Sequence, residues 1–200
     1  MEPRYIHFLT SGIASIVTSM SNGQTVEVAT VGREGAPQGI HLLGSLPIPT
    51  RCFMQMAGTA LRADFKVMAR LQAQDQHLRK ALMVYTQYQA LIAAQIVACN
   101  RLHGVKARLA RWLLMLQDRT GESVQGLTQE FLAEMIGSQR TTVTEVTGAL
   151  AEKGLIEHAR GKVRIINRAG LSGVACECYP VTCRMLQSIF ELANKPSDGR

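Results

Sequence analysis

The stretch Leu127–Lys153, LTQEFLAEMIGSQRTTVTEVTGALAEK, decides how this chain reads. Thr128 suits the N-cap of a helix, since its hydroxyl can accept from a first-turn N–H, and Glu130 suits the positive end of the helix dipole. Phe131, Leu132, Met135 and Ile136 recur at helical spacing and give that helix one apolar face. Gly137 supplies the left-handed conformation that a tight turn requires. Ser138 is then placed to cap a second helix, with Val143, Val146 and Leu150 inward and Lys153-Gly154 at its close. Ala133 falls where the two axes approach most closely, and a larger side chain there would force them apart. A small residue, a turn glycine and a β-branched anchor at these offsets are the spacing of a helix-turn-helix.

A helical hairpin with no DNA role can also carry glycine in its turn, and the continuation separates the two. Leu155–Ile166 reads as two short strands around a basic Arg160-Gly161-Lys162 tip, a wing placed directly after the second helix. In a winged helix-turn-helix the second helix enters the major groove and is read from its N-terminal residues. Gln139, Arg140, Thr141, Thr144 and Glu145 are therefore the candidates for base contact. Arg140 can pair bidentately with a guanine edge, Glu145 can accept from cytosine, and the threonines offer hydroxyls or methyl contact. Ser138, Arg160 and Lys162 are expected on phosphates.

Upstream, Ile13–Met20 and the alternating Thr25–Val31 flank Asn22-Gly23, which predicts a hairpin closed by a type I′ turn. Arg51–Met56 reads as a further strand after a Gly/Pro-rich loop, so residues 1–68 are expected to form part of an antiparallel β-roll. From 69 to 101 the period becomes helical. Leu78, Leu82, Tyr85, Gln89, Ile92, Ile96 and Cys99 alternate by fours and threes, which predicts the seam of a dimerisation helix. Met83, Val84, Ala90, Leu91, Ala94, Val97 and Ala98 form a second apolar set, assigned to packing against the roll. Leu102-His103-Gly104 breaks the pattern and sets the boundary of a DNA-binding domain over 102–170, whose first helix keeps Val105, Leu109, Trp112, Leu113 and Leu116 inward with Lys106, Arg108 and Arg111 elsewhere on its surface. Residues 171–200 read as a tail with a short helical run at Met185–Ala193, and the polar end from Asn194 is expected to fray. The fold class is α+β.

Composition agrees with this reading without dictating it. The 200 residues are 46% hydrophobic and 18% charged, with a formal net charge of +7 that favours polyanionic partners. Residues 1–100 carry net +3 and the shorter 101–168 net +4, so charge is denser in the second part. The longest nearly apolar stretch, Ala90–Cys99, is shorter than the roughly 20 residues of a bilayer crossing, so no membrane partner is expected. The start carries no secretory signal pattern and the 5 cysteines are an odd number, which points to a reduced, cytoplasmic protein. The histidines are scattered, and no nucleophile elbow, phosphate loop or carboxylate pair accompanies them, so an enzyme is not expected. Cys176, Cys178 and Cys183, with His158 as a further possible ligand, lack paired C-x2-C spacing. They read as solvent-accessible thiols, and no metal or cofactor is expected.

The order of strand hairpin, long helix, hinge and winged helix-turn-helix resembles the Crp/Fnr family of bacterial transcription regulators over most of the chain. The strings TSGIASIV, VEVATVGREG, ACNRLHGVKARLARWLLMLQDR, LTQEFLAEMIGSQRTTVT and CECY are similar to one proteobacterial-type subgroup. The resemblance implies a homodimer on pseudo-palindromic double-stranded DNA, a regulatory domain of the cyclic-nucleotide-binding type, and RNA polymerase as a partner. It also implies that the chain begins partway through the roll, since Glu2-Pro3 resembles a motif that the family precedes with a helix and strands.

Where nucleotide-binding members carry Gly-Glu and Arg-Ser, this chain has Gly39-Ile40 and Arg51-Cys52, and Ala93-Ala94 replace the Thr-Ser that meets the base. Arg51 could attract an anion, but cyclic AMP is not an expected ligand. The N-terminal cysteines of iron-sulfur members have no counterpart. Thr141 and Glu145 stand where well-known members carry Glu and Arg, so their operators do not transfer. The competing reading is a dimeric redox or ligand sensor that acts through protein contacts.

Overall fold

The structure is a computed structural model that describes residues 3–44 and 49–194. The start at Met1-Glu2, part of the Gly/Pro-rich loop and the end after Asn194 lie outside the described residues.

The roll is built from two antiparallel sheets. β1 (Tyr5–Leu9) pairs with β5 (Ala60–Asp64), and β2 (Ile13–Ser19) lies between β3 (Thr25–Val31) and β4 (Thr50–Met56). The register sets Ile13 opposite Met56 and Ala14 opposite Val31, so Ile13, Ala14, Val17 and Val31 are all buried. The hairpin forms where expected, but its turn is longer than a type I′ pair. Gly23 has φ 83° while Asn22 keeps a negative φ, and Met20 N–H donates to the Gln24 carbonyl at 2.8 Å. β1 and β5 carry too little alternation to be read locally. Each is specified by its partner.

Helix α1 (Phe65–Gln74) is capped by Asp64, whose carboxylate accepts from Val67 N, and α2 (Gln76–Leu102) by Asp75, which accepts from His77 N and Leu78 N. The expected single helix is thus two, because Asp75 offers the backbone a new start. α2 has the length and apolar composition to cross a bilayer, but one of its faces packs inside the protein, against the roll loop and α7 (Cys178–Asn194).

Within one chain the expected seam is already largely covered. Leu82, Ile92, Ile96 and Cys99 are 6%, 1%, 7% and 0% exposed within a single chain. Leu78 packs on the cluster of Ile6, Leu42 and Phe65, and the Tyr85 ring lies over Gly35, with its hydroxyl accepting from Gln89. The set assigned to the roll faces outward instead, with Met83, Leu91 and Val97 at 58%, 49% and 70% exposure. Heptad spacing reveals an apolar stripe but not what covers it. Here the cover includes Met185, Leu186 and Ile189 of α7, which is longer than the run read from sequence.

α3 (Val105–Thr120) is the hub. Leu109–Leu116 are all buried, and the core runs unbroken from Ile13 and Val17 of the roll to Leu171 of α6 (Arg168–Val174). Arg108 and Arg111, expected on the surface, are 8% and 3% exposed. Arg108 donates to the carbonyl that ends α4 (Gln129–Ile136), at 3.0 Å from Ile136 O. Arg168 and the Tyr179 hydroxyl both bond to Asp118, which ties α6 and α7 to α3.

Trp112 Nε1 donates to Glu27 Oε2 of β3 at 2.6 Å, and Thr30 donates to the same oxygen. Burial pushes the Glu27 carboxyl above its usual range, against the pull of these donors. A raised acid contributes stability that is complete below the unfolded pKa and lost as pH climbs through the folded one. Glu27→Gln is therefore expected to melt above the native protein, with a gap that widens to about 1–3 kcal/mol as pH rises. Urea midpoints at about pH 5 and about pH 8 check it, and equal gaps at both would contradict the assignment.

Candidate nucleic-acid interface

Thr128 accepts from Phe131 N at 3.1 Å and opens α4 as its sequence requires. Gly137 follows with φ 62°, donating to the Ala133 and Glu134 carbonyls, and an added Cβ there would stand 2.8 Å from Val26 Cγ2 of the roll. Glycine is thus demanded twice, by the turn and by the docking of α4 on β3. α5 (Arg140–Glu152) begins one residue later than expected: Gln139 is the N-cap residue, without a side-chain cap, and Ser138 is half-buried with its N–H on Ala133 O at 3.0 Å. Val143 and Leu150 are fully buried and Val146 partly so, which fixes the outward face.

Gln139, Arg140, Thr141, Thr144 and Glu145 are all exposed on or beside the first turns of α5. Among the described residues Arg140 and Glu145 form no ion pair, while Thr144 Oγ1 is committed to the Arg140 carbonyl at 2.9 Å. Behind this face Gln129 bonds to Thr147 and to His158 Nδ1, which locks α4, α5 and β7 (Ile156–Ala159) together. His158 is therefore a scaffold residue, distant in role from the cysteines with which the sequence grouped it.

The wing forms from β7 and β8 (Lys162–Ile165), with β6 (Val124–Gly126) adding a third strand to β8. Three residues without a long apolar alternation left β6 invisible to sequence reasoning. At the tip Arg160 and Gly161 have φ 51° and 71°. Both central residues of a two-residue hairpin turn need positive φ, which costs an arginine roughly 1–2 kcal/mol relative to glycine. An asparagine would fit this turn more cheaply. Arg160 and Lys162 are exposed, as is Arg164, which stands 4.0 Å from Glu157.

The remaining candidates behave differently. Arg51 is exposed on β4 and does not line the roll's cavity of about 300 Å³, whose wall includes His7, Gln38, Cys52 and Thr59. The three C-terminal cysteines separate. Cys183 lies by Asp118, whereas Cys176 and Cys178 are buried rather than solvent-accessible and meet Cys99 and His103 at the far end of α2. Burial raises the Cys99 and Cys176 thiols. Sequence reasoning placed Cys99 in the dimer seam and left His103 unassigned. Their four-residue separation at a helix end was the available signal.

A β-roll joined through a long helix to a winged helix-turn-helix, with the second helix and wing tip presented to solvent, is the architecture of the described residues. Residues 107–174 match the family model described as the Crp-like helix-turn-helix domain. The chain is 36% identical over 77 residues to the transcriptional regulator SdrP of Thermus thermophilus, an alignment that covers 36% of this chain and 38% of that protein. Among solved structures, TTHB099, a CRP-family transcriptional regulator from Thermus thermophilus, superposes with a TM-score of 0.72 at 21% identity over 89% of this chain and 92% of that one. FixK2 from Bradyrhizobium japonicum gives 0.72 at 15% identity over 86% and 88%. TTHA1359, a CRP/FNR-family regulator also from Thermus thermophilus, gives 0.65 at 23% identity over 86% of each chain. At these identities the structural likeness is one of fold. What the family model shows is that residues 107–174 carry a Crp-like helix-turn-helix domain.

Proposed function

We propose that this protein is a transcription regulator that binds double-stranded DNA as a homodimer, reading a pseudo-palindromic site through α5. The observation that carries the reading is the exposed Arg140, which forms no ion pair among the described residues, at the start of a helix whose other face is locked by Val143, Thr147 and Leu150. Arg140 and Glu145 read base edges, Gln139, Thr141 and Thr144 contribute contacts at the helix start, and Ser138, Arg160 and Lys162 hold phosphates. Arginine in the left-handed tip position supports a phosphate role for Arg160, since a strained, exposed residue with no side-chain partner among the described residues points to function. RNA polymerase is the further partner this reading implies, and the cytoplasm its compartment.

The dimer surface we assign is the outward stripe of α2. Ala90, Leu91, Ala94, Val97 and Ala98 are exposed at helical spacing, an apolar stripe in which the three alanines let a second helix approach closely. Two recognition helices carried on such a pair meet half-sites about 34–36 Å apart.

The experiment is selection of bound duplexes from a random pool, followed by affinity measurement over a salt series. Affinity should fall steeply with salt as counterions are released. Arg140→Ala should relax preference at one base position at a cost of about 1–3 kcal/mol, whereas Lys162→Ala should weaken all duplexes alike and lower the salt slope by about 1. Enrichment of no sequence, with binding unaffected by either substitution, would overturn the reading.

A further inference from the structure

Cys99, His103, Cys176 and Cys178 each direct one ligand atom into a common space, with all four atoms within 4.8 Å of one another. Cys99 Sγ and Cys176 Sγ are 3.5 Å apart, and Cys178 Sγ is 3.6 Å from His103 Nδ1. A zinc ion with Zn–S of about 2.3 Å and Zn–N of about 2.0–2.1 Å at a tetrahedron's centre sets edges of roughly 3.5–3.8 Å, which these separations match. A polynuclear iron-sulfur cluster needs its ligands spread more widely than this.

The surroundings are those of a metal centre. His103 Nε2 is 3.1 Å from both carboxylate oxygens of Glu177, which places the ring proton on Nε2 and turns the Nδ1 lone pair toward the thiols. A histidine whose second nitrogen donates to a carboxylate is the usual arrangement of a zinc ligand. Gln95 Nε2 donates to Cys178 Sγ at 3.1 Å, and Cys178 sits at the N-terminal end of α7, where a thiolate is favoured.

Charge balance points the same way. Arg108 and Arg111 are buried on the adjoining face of α3, close enough for their fields to act on the thiols. Among the described residues neither guanidinium has a carboxylate partner, and the Nε of each is without a hydrogen bond. Buried cations are expensive unless a counter-charge faces them. One zinc ion with three thiolates and a neutral imidazole carries a single net negative charge.

We propose that Cys99, His103, Cys176 and Cys178 form a structural zinc site. All four ligands come from the chain, so the site is closed and its role is to clamp rather than to catalyse. It joins the last turn of α2 and the Leu102–Gly104 hinge to the loop between α6 and α7, fixing the exit of the winged domain against the long helix. Binding converts three thiols to thiolates, and their protons pass to solvent.

The test uses the full chain purified under reductant. Elemental analysis is expected to find one zinc per chain, and cobalt(II) titration of the metal-free protein should give thiolate charge-transfer absorption with the intense visible bands of a tetrahedral ion, saturating at one equivalent. Cys176→Ser and Cys178→Ser should abolish the saturable signal, Glu177→Gln should weaken affinity about 10–100-fold, and His103→Cys should keep a four-ligand tetrahedral spectrum. Cys183→Ser and Cys52→Ser, outside the cluster, should titrate like the native chain. The proposal is overturned if the native protein gives only the weak bands of octahedral cobalt, if Cys183→Ser loses as much as Cys176→Ser, or if the chain isolates with a Cys99–Cys176 disulfide and takes up no metal once reduced. The cobalt spectrum of the native chain decides the matter even where a variant fails to fold.

Discussion

Arg119→Met is expected to destabilise the protein by about 3–5 kcal/mol, the cost of stranding a buried carboxylate without its cation. Arg119 Nε lies 2.9 Å from Glu34 Oε1, and the two side chains are 3% and 1% exposed. The guanidinium also donates to the Met115 carbonyl at 3.2 Å and to the Tyr88 hydroxyl at 3.3 Å, so one side chain joins α3, the roll loop and α2. The loop is shaped for the pair: a Cβ at Gly32 would stand 2.8 Å from Glu34 Oε2 and 3.3 Å from the Arg119 chain. Removing the arginine leaves Glu34 desolvated and alone, whereas the double replacement with methionine strands neither charge and should recover most of the loss. Urea midpoints of the native chain, both single variants and the double variant close the cycle. A single-variant loss below about 1 kcal/mol would mean that water reaches the pair after all.

This ion pair marks the boundary of what one sequence discloses. The helix-turn-helix was legible because its determinants are local: Thr128 caps, Gly137 turns and Val143 anchors within a few residues of one another. The wing was legible for the same reason, with Arg160-Gly161 set between two short alternating runs. Glu34 and Arg119, by contrast, stand 85 residues apart, and each looks like an ordinary surface charge in its own segment. The thiol cluster hid likewise, since Cys99 and Cys176 are separated by 77 residues and each belonged to a plausible local pattern. Arg108 fell on the wrong side because charge predicts exposure only until a buried carbonyl, here that of Ile136, needs a donor. For α2 the period was right, and the face expected to meet a second copy is covered within the chain by α7. A helix with two apolar faces gives no local signal of which one α7 will cover.

That arrangement yields the prediction with the largest functional effect. Val97→Glu alters a side chain that is 70% exposed in the folded chain, so the protomer should fold with stability within about 0.5 kcal/mol of native. If the outward stripe of α2 is the dimer surface, the same glutamate is desolvated against its symmetry mate, and sedimentation should report a monomer. Each recognition helix then binds alone. Affinity for a duplex bearing both half-sites should fall by about 10²–10⁴-fold, because the second contact no longer benefits from tethering, while affinity for a single half-site should stay unchanged. Ile92→Glu provides the contrast. Its side chain is 1% exposed and packs in the cluster with Tyr88 and Ile189, so the substitution should unfold the protomer rather than divide a dimer. A folded, monomeric Ile92→Glu beside a dimeric Val97→Glu would return the interface to the inward seam and require α7 to leave it. The opposite pair of results makes α7 a fixed part of the protomer and the alanine-rich stripe the surface through which two copies place their α5 helices on one duplex.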